Sequence, residues 1–528
     1  MRRLATAFRM ILALLAAGVG LLIAAKPGLA PTPQDTLVVG QLAEPRALDP
    51  ATVTGANDFR ILANVFEGLT RFRRGSLEVG GALAERWEIL DGGRTYIFHL
   101  RDGVRFHDGT AFDAEAVKFN LERLIDPKHP AAGTGPFPFA FFFSAVKQVE
   151  VVDPLTVRLR LDEPYAPLLA NLAHPSGYMA SPAALTKLGR DFGRAPVGTG
   201  PFRFGLWESG RQLRLIANEA YRGGAPKSKA LVFRPIVDPN ARASEMLAGG
   251  LDVMVELAPD SVAAFRDRSR FRIHEAGGPH LWFLILNTRE GPLKDARVRR
   301  ALNLAIDKQA IADHVLQGTA TVPAGPISEA FGPASDPEVK AYPHDPEAAR
   351  RLIREAGAEG ATLKLLASEG GSGMLEPIAM ATAIQSDLGK VGLKVEIETF
   401  EWNAYLARVN GGLKEAAMAE MAWMTTDPHT LASLSLMGSA TPDKGGFNAG
   451  YYENPEVDRL LDEARAEQDS EARAALYRRI DRIVHDDAPW AFVATWRQSA
   501  VTSAAVSGFE LQPSFLMDLS GVSKAPAL

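Results

Sequence analysis

Residues 94–124 read RTYIFHLRDGVRFHDGTAFDAEAVKFNLERL, a stretch in which strand and helix signals follow one another without ambiguity. Two short segments rich in β-branched and aromatic residues, Arg94–Leu100 and Val104–His107, flank Asp102-Gly103. Asp-Gly between two such segments is a hairpin signal, because glycine supplies the positive φ that a tight turn requires. His107-Asp108-Gly109 marks a second turn. Asp113 then stands where a helix N-cap is expected, with Ala114, Val117, Leu121 and Leu124 spaced to form one apolar face, and Asp126-Pro127 ends the helix. Strand, turn and capped helix in thirty residues predict a small α+β unit.

Working outward, the same texture extends from Leu77 to Leu161. A loop with a dense aromatic tail, Gly133–Phe143, precedes two strands about Asp153-Pro154. Before this block, Asp35–Gln41 reads as a buried strand and Ala56–Leu69 has helical spacing. After it, PVGTGPFRF (Pro196–Phe204) makes a tight Gly/Pro turn. Strands are expected at Gln212–Asn218, Leu231–Val237, Phe271–Glu275 and Leu281–Asn287, with a helix near Ala241–Ala248. From Asp295 onward helices and strands alternate: helices at Asp295–Ala305, from Asp307 through Leu316, from Asp345-Pro346 to Gly357, and at Glu376–Leu388; strands at Leu363–Ser368 and Leu393–Phe400. Asn454-Pro455 opens another helix, and Leu476, Ile480, Ile483 and Val484 give the face of its successor. Ala491–Ala500 and Val506–Leu511 finish as strands. Alternation of this kind predicts lobes that each carry a sheet with helices against it.

At 528 residues the chain exceeds what one hydrophobic core supports, so two or three domains are expected. There is no cysteine, which excludes disulfides, thiolate metal sites and cysteine nucleophiles. The formal net charge is −5, and the first 30 residues contribute Arg2, Arg3, Arg9 and Lys26 with no acid, so the remainder carries −9. An acidic body without Lys/Arg runs argues against nucleic acid as a partner. The first residues themselves, a basic MRRLATAFR, an apolar run from Met10 to Ala25 and the small residues of Gly28-Leu29-Ala30, read as an export signal cleaved after Ala30. The expected location is therefore outside the cytoplasmic membrane.

Catalytic motifs fail on their spacing. Gly370–Met374 (GGSGM) lacks the second glycine of a nucleophile elbow, no phosphate-binding glycine loop is present, and His274-Glu275 is not followed by a histidine at zinc-protease spacing. His107-Asp108 and His485-Asp486-Asp487 fall at element ends, where turn and helix-terminus roles explain them. The chain is expected not to be an enzyme and to use no cofactor or resident metal.

Phe400–Pro428 (FEWNAYLARVNGGLKEAAMAEMAWMTTDP) is the expected ligand-binding stretch. It places Trp402 and Trp423 just beyond strand-like segments and ends at Asp427-Pro428. Aromatic faces beside a carboxylate suit a small organic molecule bearing positive charge.

Taken in order, several segments resemble the extracytoplasmic solute-binding proteins of ABC importers, the class that includes dipeptide-, oligopeptide-, glutathione- and nickel-binding proteins. They are LDP…NVFEGL (Leu48–Leu69), LAERWEI…GGRTYIFHLRDGVRFHDGTAFDAEAVKFNLERL (Leu83–Leu124), PVGTGPF (Pro196–Phe202), PLKDARVRRALNLAIDKQAI (Pro292–Ile311), YYENPEVDRLLDEA (Tyr451–Ala464) and DAPWAFV (Asp487–Val493). The resemblance implies an α/β protein with the two-lobed, type II-like periplasmic-binding-protein fold and an additional inserted β-rich α+β domain. Lobe I would comprise 31–75, 190–280 and 488–528, the insert 76–189, and lobe II 281–487, with hinge crossings near Pro279–Leu281 and Asp487–Trp490. It further implies a periplasmic monomer that captures a peptide or peptide-like solute and hands it to a membrane permease. Substrate-binding positions would be Trp402, Trp423, Thr425, Thr426 and Asp427 on one lobe and Thr54 and Gly55 on the other. Peptide-binding relatives carry Asp-x-x-Asp-Pro after the second Trp; here the loop is shorter and has the single acid Asp427. Either Asp427 takes the ammonium-binding role, or Thr425 and Thr426 replace a charge by hydroxyls. The Ser368–Glu376 loop also lacks the arginine that dipeptide binders use for the ligand carboxylate. Asp427-Pro428-His429 resembles the loop of nickel-type members, which keeps a nickel or other metal complex as the alternative ligand.

Overall fold

The computed structural model describes residues 34–371 and 373–525, so the expected export segment lies outside the described residues. The chain opens with β1 (Thr36–Gln41), buried along its whole length, followed by α1 (Ala56–Val65) and the antiparallel pair β2 (Thr70–Phe72) and β3 (Val79–Gly81). Next come β4 (Ala84–Leu90), β5 (Thr95–Leu100), α2 (Ala114–Ile125), β6 (Val146–Asp153) and β7 (Thr156–Leu161). Strands β8 (Phe202–Glu208), β9 (Gln212–Ala217), β10 (Ala230–Pro235), β11 (Val253–Val255) and β12 (Phe271–Ala276) precede β13 (His280–Leu286). The remainder is α3 (Ala296–Ala305), β14 (Ala320–Thr321), α4 (Pro346–Glu355), β15 (Thr362–Ser368), α5 (Pro377–Lys390), β16 (Lys394–Phe400), α6 (Trp402–Asn410), β17 (Met418–Met424), α7 (Pro428–Leu436), α8 (Pro455–Ala466), α9 (Ser470–Asp487), β18 (Trp490–Trp496) and β19 (Gln498–Ser503).

These strands build three main sheets. A seven-stranded sheet runs β12-β19-β11-β1-β10-β9-β8, a six-stranded sheet runs β14-β18-β13-β17-β15-β16, and a four-stranded sheet runs β4-β5-β7-β6. The six-stranded sheet is covered on both faces. Trp282, Leu284, Leu286 and Leu365 pack toward α3 and α5, whereas Phe283, Ile285, Leu366 and Ala419 pack toward the other helices. All seven residues of β13 are therefore buried, which explains why it reads HLWFLIL rather than alternating. The architecture is a mixed α/β, two-lobed protein with an inserted four-stranded unit, as the sequence reading anticipated.

The inserted unit is tied to the first lobe. Arg123 of α2 makes a bidentate pair with Asp49 (2.8 and 3.1 Å), and both side chains are almost wholly buried. His174 packs edge-on against Phe59 of α1, with ring centroids 5.0 Å apart. Asp113 caps α2 as expected, accepting from Ala116 N at 3.0 Å.

Three expectations need correction. Residues 104–107 do not form a hairpin with β5, because β4 and β7 already occupy both edges of β5; what remains is an isolated bridge, Arg105 to Ala111. Trp490–Trp496, assigned above to lobe I, lies inside the second sheet, where β18 pairs with β13. The second crossing between sheets therefore falls at 496–498 and not near Asp487–Trp490. Its sequence, an apolar run, fits either sheet equally, so the run itself carries no sign of which partner it takes. Finally, the helix from Asp307 gives way after Lys308–Ala310 to a π-turn at Ile311–Val315, although Asp307 does cap it.

Candidate functional site

The two large sheets present matching edges to each other. In the second sheet β15, β16 and β17 are mutually parallel, so Ser368, Phe400 and Met424 end at one edge. Antiparallel β13 starts at that edge with His280, and β18 ends there with Trp496. In the first sheet β1, β10 and β11 are parallel and end at Gln41, Pro235 and Val255; there β12 ends at Ala276 and β19 begins at Gln498. Both crossings, 276–280 and 496–498, join these two edges. Carboxyl ends of parallel strands, meeting where the chain switches from one sheet to the other, are where α/β proteins hold ligands.

On the second-lobe edge, Trp402 is the first residue of α6, behind the N-cap Glu401, whose carboxylate accepts from Asn403 N (2.9 Å) and Ala404 N (3.3 Å). The Trp402 ring stacks on Tyr405, centroids 6.0 Å apart and 15° from parallel. The loop after β15 passes against the ring at Gly371. A Cβ at Gly371 would lie 2.4 Å from Trp402 Cε3, so only glycine lets the loop pass. Trp402 is half-buried.

Trp423, two strands away across the sheet at roughly 10 Å, is also half-buried and meets Phe447 edge-on at 6.3 Å. Phe447 itself is 39% exposed, so the pair forms an aromatic rim. Thr425 N donates to Pro279 O at 3.4 Å, which ties the loop to the first crossing. Thr425 Oγ1 is buried without a protein partner. Thr426 is half-buried.

Asp427 is the N-cap of α7. Its carboxylate caps α7, accepting from His429 N at 2.8 Å, and the residue is buried. Burial pushes its carboxyl above the usual range, while the charge of Arg473 pulls the other way. His429 is buried too, its Nδ1 lacks a partner, and desolvation holds the ring neutral with a pKa of about 3. Among the described residues no group of three or more His, Asp or Glu side chains could hold a metal ion.

On the first-lobe edge, Gln41 at the end of β1 donates to Ala43 O (2.8 Å) and Asn57 O (3.5 Å), fixing the first turn of α1 beside the sheet edge. Gln41 Oε1 is left without a partner. Thr54 is exposed, and Gly55 is the N-cap of α1, its N–H donating to Asp58 Oδ2 at 3.2 Å. Thus Trp423 near the end of β17 and Thr425, Thr426 and Asp427 on the loop that follows it are grouped together, Trp402 stands on the same edge, and Thr54 and Gly55 stand on the facing lobe.

Sequence reasoning missed His280. Its Nδ1 accepts from Trp496 N (3.0 Å) and its Nε2 donates to Gly373 O (2.9 Å), clipping the second crossing and the 369–374 loop to the start of β13. Desolvation lowers its pKa to about 4, so the clip is neutral imidazole. Glu420 was missed as well. It is fully buried in β17, one carboxylate oxygen accepts from Ser368 N at 3.4 Å, the other has no partner, and burial raises its pKa to about 9. Two cavities of about 450 and 580 Å³ lie against α2 of the inserted unit and touch none of the seven expected ligand residues.

Comparison with known proteins agrees with this fold. Residues 78–445 match the family described as bacterial extracellular solute-binding proteins, family 5. The chain is 31% identical to di/tripeptide-binding protein 2 of Pseudomonas aeruginosa over 98% of this chain and 99% of that protein. It is 31% identical to the glutathione-binding protein GsiB of Pectobacterium atrosepticum, covering 89% and 90% of the two chains. The structure of HbpA2 from Haemophilus parasuis superposes with a TM-score of 0.84 at 29% identity, over 93% of this chain and all of that one.

Proposed function

Since the chain belongs to family 5 of the bacterial extracellular solute-binding proteins, we propose that it captures a peptide or peptide-like small solute between its lobes and delivers it to the permease of an ABC importer. The observation that carries this reading is the convergence of the two sheet edges, with the expected residues of both lobes on them. Trp402 and the Trp423–Phe447 pair would supply aromatic faces for the apolar parts of the solute. Thr425 Oγ1, buried and without a protein partner, would hydrogen-bond its amide or hydroxyl groups, since a polar atom in such a place gains most from a ligand partner. Thr426 would add a second hydroxyl, and the first turn of α1, with Thr54 and Gly55, would close on the solute from the other lobe. Asp427 would hold the loop in shape from beneath α7. That role separates this chain from binders that anchor a free ammonium on a carboxylate here.

The first lobe would consist of 31–75, 190–276 and the chain after 496, with 76–189 inserted and 280–496 as the second lobe. Closure about the two crossings would bury the solute. The N-terminal segment would direct export and leave a monomer at work in the periplasm; no described helix is long and apolar enough to cross a membrane. Thermal unfolding in the presence of di- and tripeptides, glutathione, opines and amino-acid derivatives tests the reading. A ligand at 100 times its Kd raises stability by about 2.7 kcal/mol. A panel in which no compound moves the melting temperature refutes it.

A further inference from the structure

Besides the two covalent crossings, the lobes touch at a third place. The turn between β7 and the helix Leu168–Ala173 meets the turn between α8 and α9 of the second lobe. Ala166 N donates to Arg465 O at 2.8 Å. The guanidinium of Arg465 pairs with Glu163. The Tyr96 hydroxyl on β5 lies 3.2 Å from Gln468 Oε1 and 3.1 Å from Tyr165 O, within donating reach of both. Approach is close enough that a Cβ on Gly93 would sit 2.4 Å from Gln468 Nε2 and 3.2 Å from Pro164 Cβ. The Tyr165 phenol accepts from Asn171 Nδ2 at 3.1 Å and lies in the field of Asp427, under the start of α7.

The inserted unit moves with the first lobe, since the buried Arg123–Asp49 pair and the Phe59–His174 contact fix it there. Helix α9 runs back from this contact to Asp487, where β18 starts toward the crossing at 496–498. Any rotation that separates the lobes about the crossings must therefore separate these two turns. We propose that the Glu163–Ala166 turn and the α8–α9 turn form a clasp that sets the balance between closed and open lobes. No ligand group takes part in it. The clasp acts by population: a protein whose binding-competent state is favoured by a factor f binds correspondingly better, whatever the solute. It also gives the inserted unit a task, because that unit contributes none of the seven expected ligand residues.

The test needs no solute, so it succeeds or fails separately from the ligand assignment. The chain contains no cysteine, so Lys128→Cys and Glu359→Cys, at two exposed positions on opposite sides of the clasp, can be spin-labelled uniquely in the full-length protein. Pulsed electron resonance then reads the interlobe distance distribution. The wild type should hold a dominant short-distance population. Glu163→Ala should raise the long-distance population about threefold and Tyr165→Ala about tenfold. Should Tyr165→Ala fail to fold, Glu163→Ala combined with Gln468→Ala replaces it. Arg459→Ala, which removes two surface pairs within the second lobe, should change nothing. A wild type that is already open, or folded clasp variants with an unchanged distribution, overturns the proposal.

Discussion

Glu420→Gln probes the centre of the second sheet with a sign that is fixed in advance. Glu420 lies within β17, wholly buried, with one oxygen accepting from Ser368 N and the other unpartnered. Burial favours the neutral acid and raises its pKa from 4.5 to about 9. The folded protein therefore keeps this proton through neutral pH, while the unfolded chain releases it above about pH 4.5. A carboxyl whose folded pKa is raised contributes a stability that is fully present at low pH and is lost as pH rises. The slope is about −1.4 kcal/mol per pH unit between the two pKa values. Glutamine preserves the shape and the acceptor to Ser368 but cannot ionise. At pH 5 the variant should match the wild type to within roughly 1 kcal/mol. At pH 8 it should be more stable by roughly 4–5 kcal/mol, the slope accumulated over some three and a half pH units. Urea unfolding followed by tryptophan fluorescence at the two pH values measures this. A variant less stable than the wild type at both pH values refutes the reasoning, since it would mean that Glu420 is ionised and paired.

Further variants separate packing from binding. Arg123→Ala leaves Asp49 as a buried, uncompensated charge and should cost about 3–5 kcal/mol of stability, read from the urea midpoint. Thr425→Val keeps the shape of the side chain and should leave the melting temperature unchanged. It should weaken a panel ligand about tenfold or more by calorimetry, because one hydrogen bond to a buried hydroxyl is lost. Gly371→Ala drives a methyl into the Trp402 ring and should alter tryptophan fluorescence and weaken binding by roughly 1–3 kcal/mol, the scale of a core overpacking. Unchanged emission would show that the loop yields instead.

Much of the fold was legible because its signals are local. The Asp113 cap, the apolar face of α2 and the turn at Asp153-Pro154 each depend on residues a few positions apart, and each stands where the pattern placed it. The pairing of β18 was not legible. Trp490–Trp496 is buried almost throughout, and an apolar run fits a strand in either sheet. The expected hairpin at Asp102-Gly103 failed for a related reason: the turn signal is real, but β4 and β7 claim both edges of β5. At the candidate site, the common edge shared by Trp402, Trp423 and the two threonines follows from the strands that precede them, β16 and β17. The capping role of Asp427 could be suspected from Asp-Pro, whose proline suits the first helical turn. His280 and Glu420 could not be found, since a single polar residue in an apolar segment carries no sign of what it will meet. The contact of Glu163 with Arg465 joins positions some 300 residues apart, beyond any periodicity.

The account rests on a solute held between the two sheet edges, and Trp402 is where this can be tested most directly. Calorimetric titration of the panel compound that most stabilises the protein should give one site per chain for the wild type. Trp402→Ala should lose about 1–3 kcal/mol of binding free energy with its urea midpoint nearly unchanged. Full-strength binding by a folded Trp402→Ala protein would contradict the account, and so would a loss of binding that merely follows a collapse in stability.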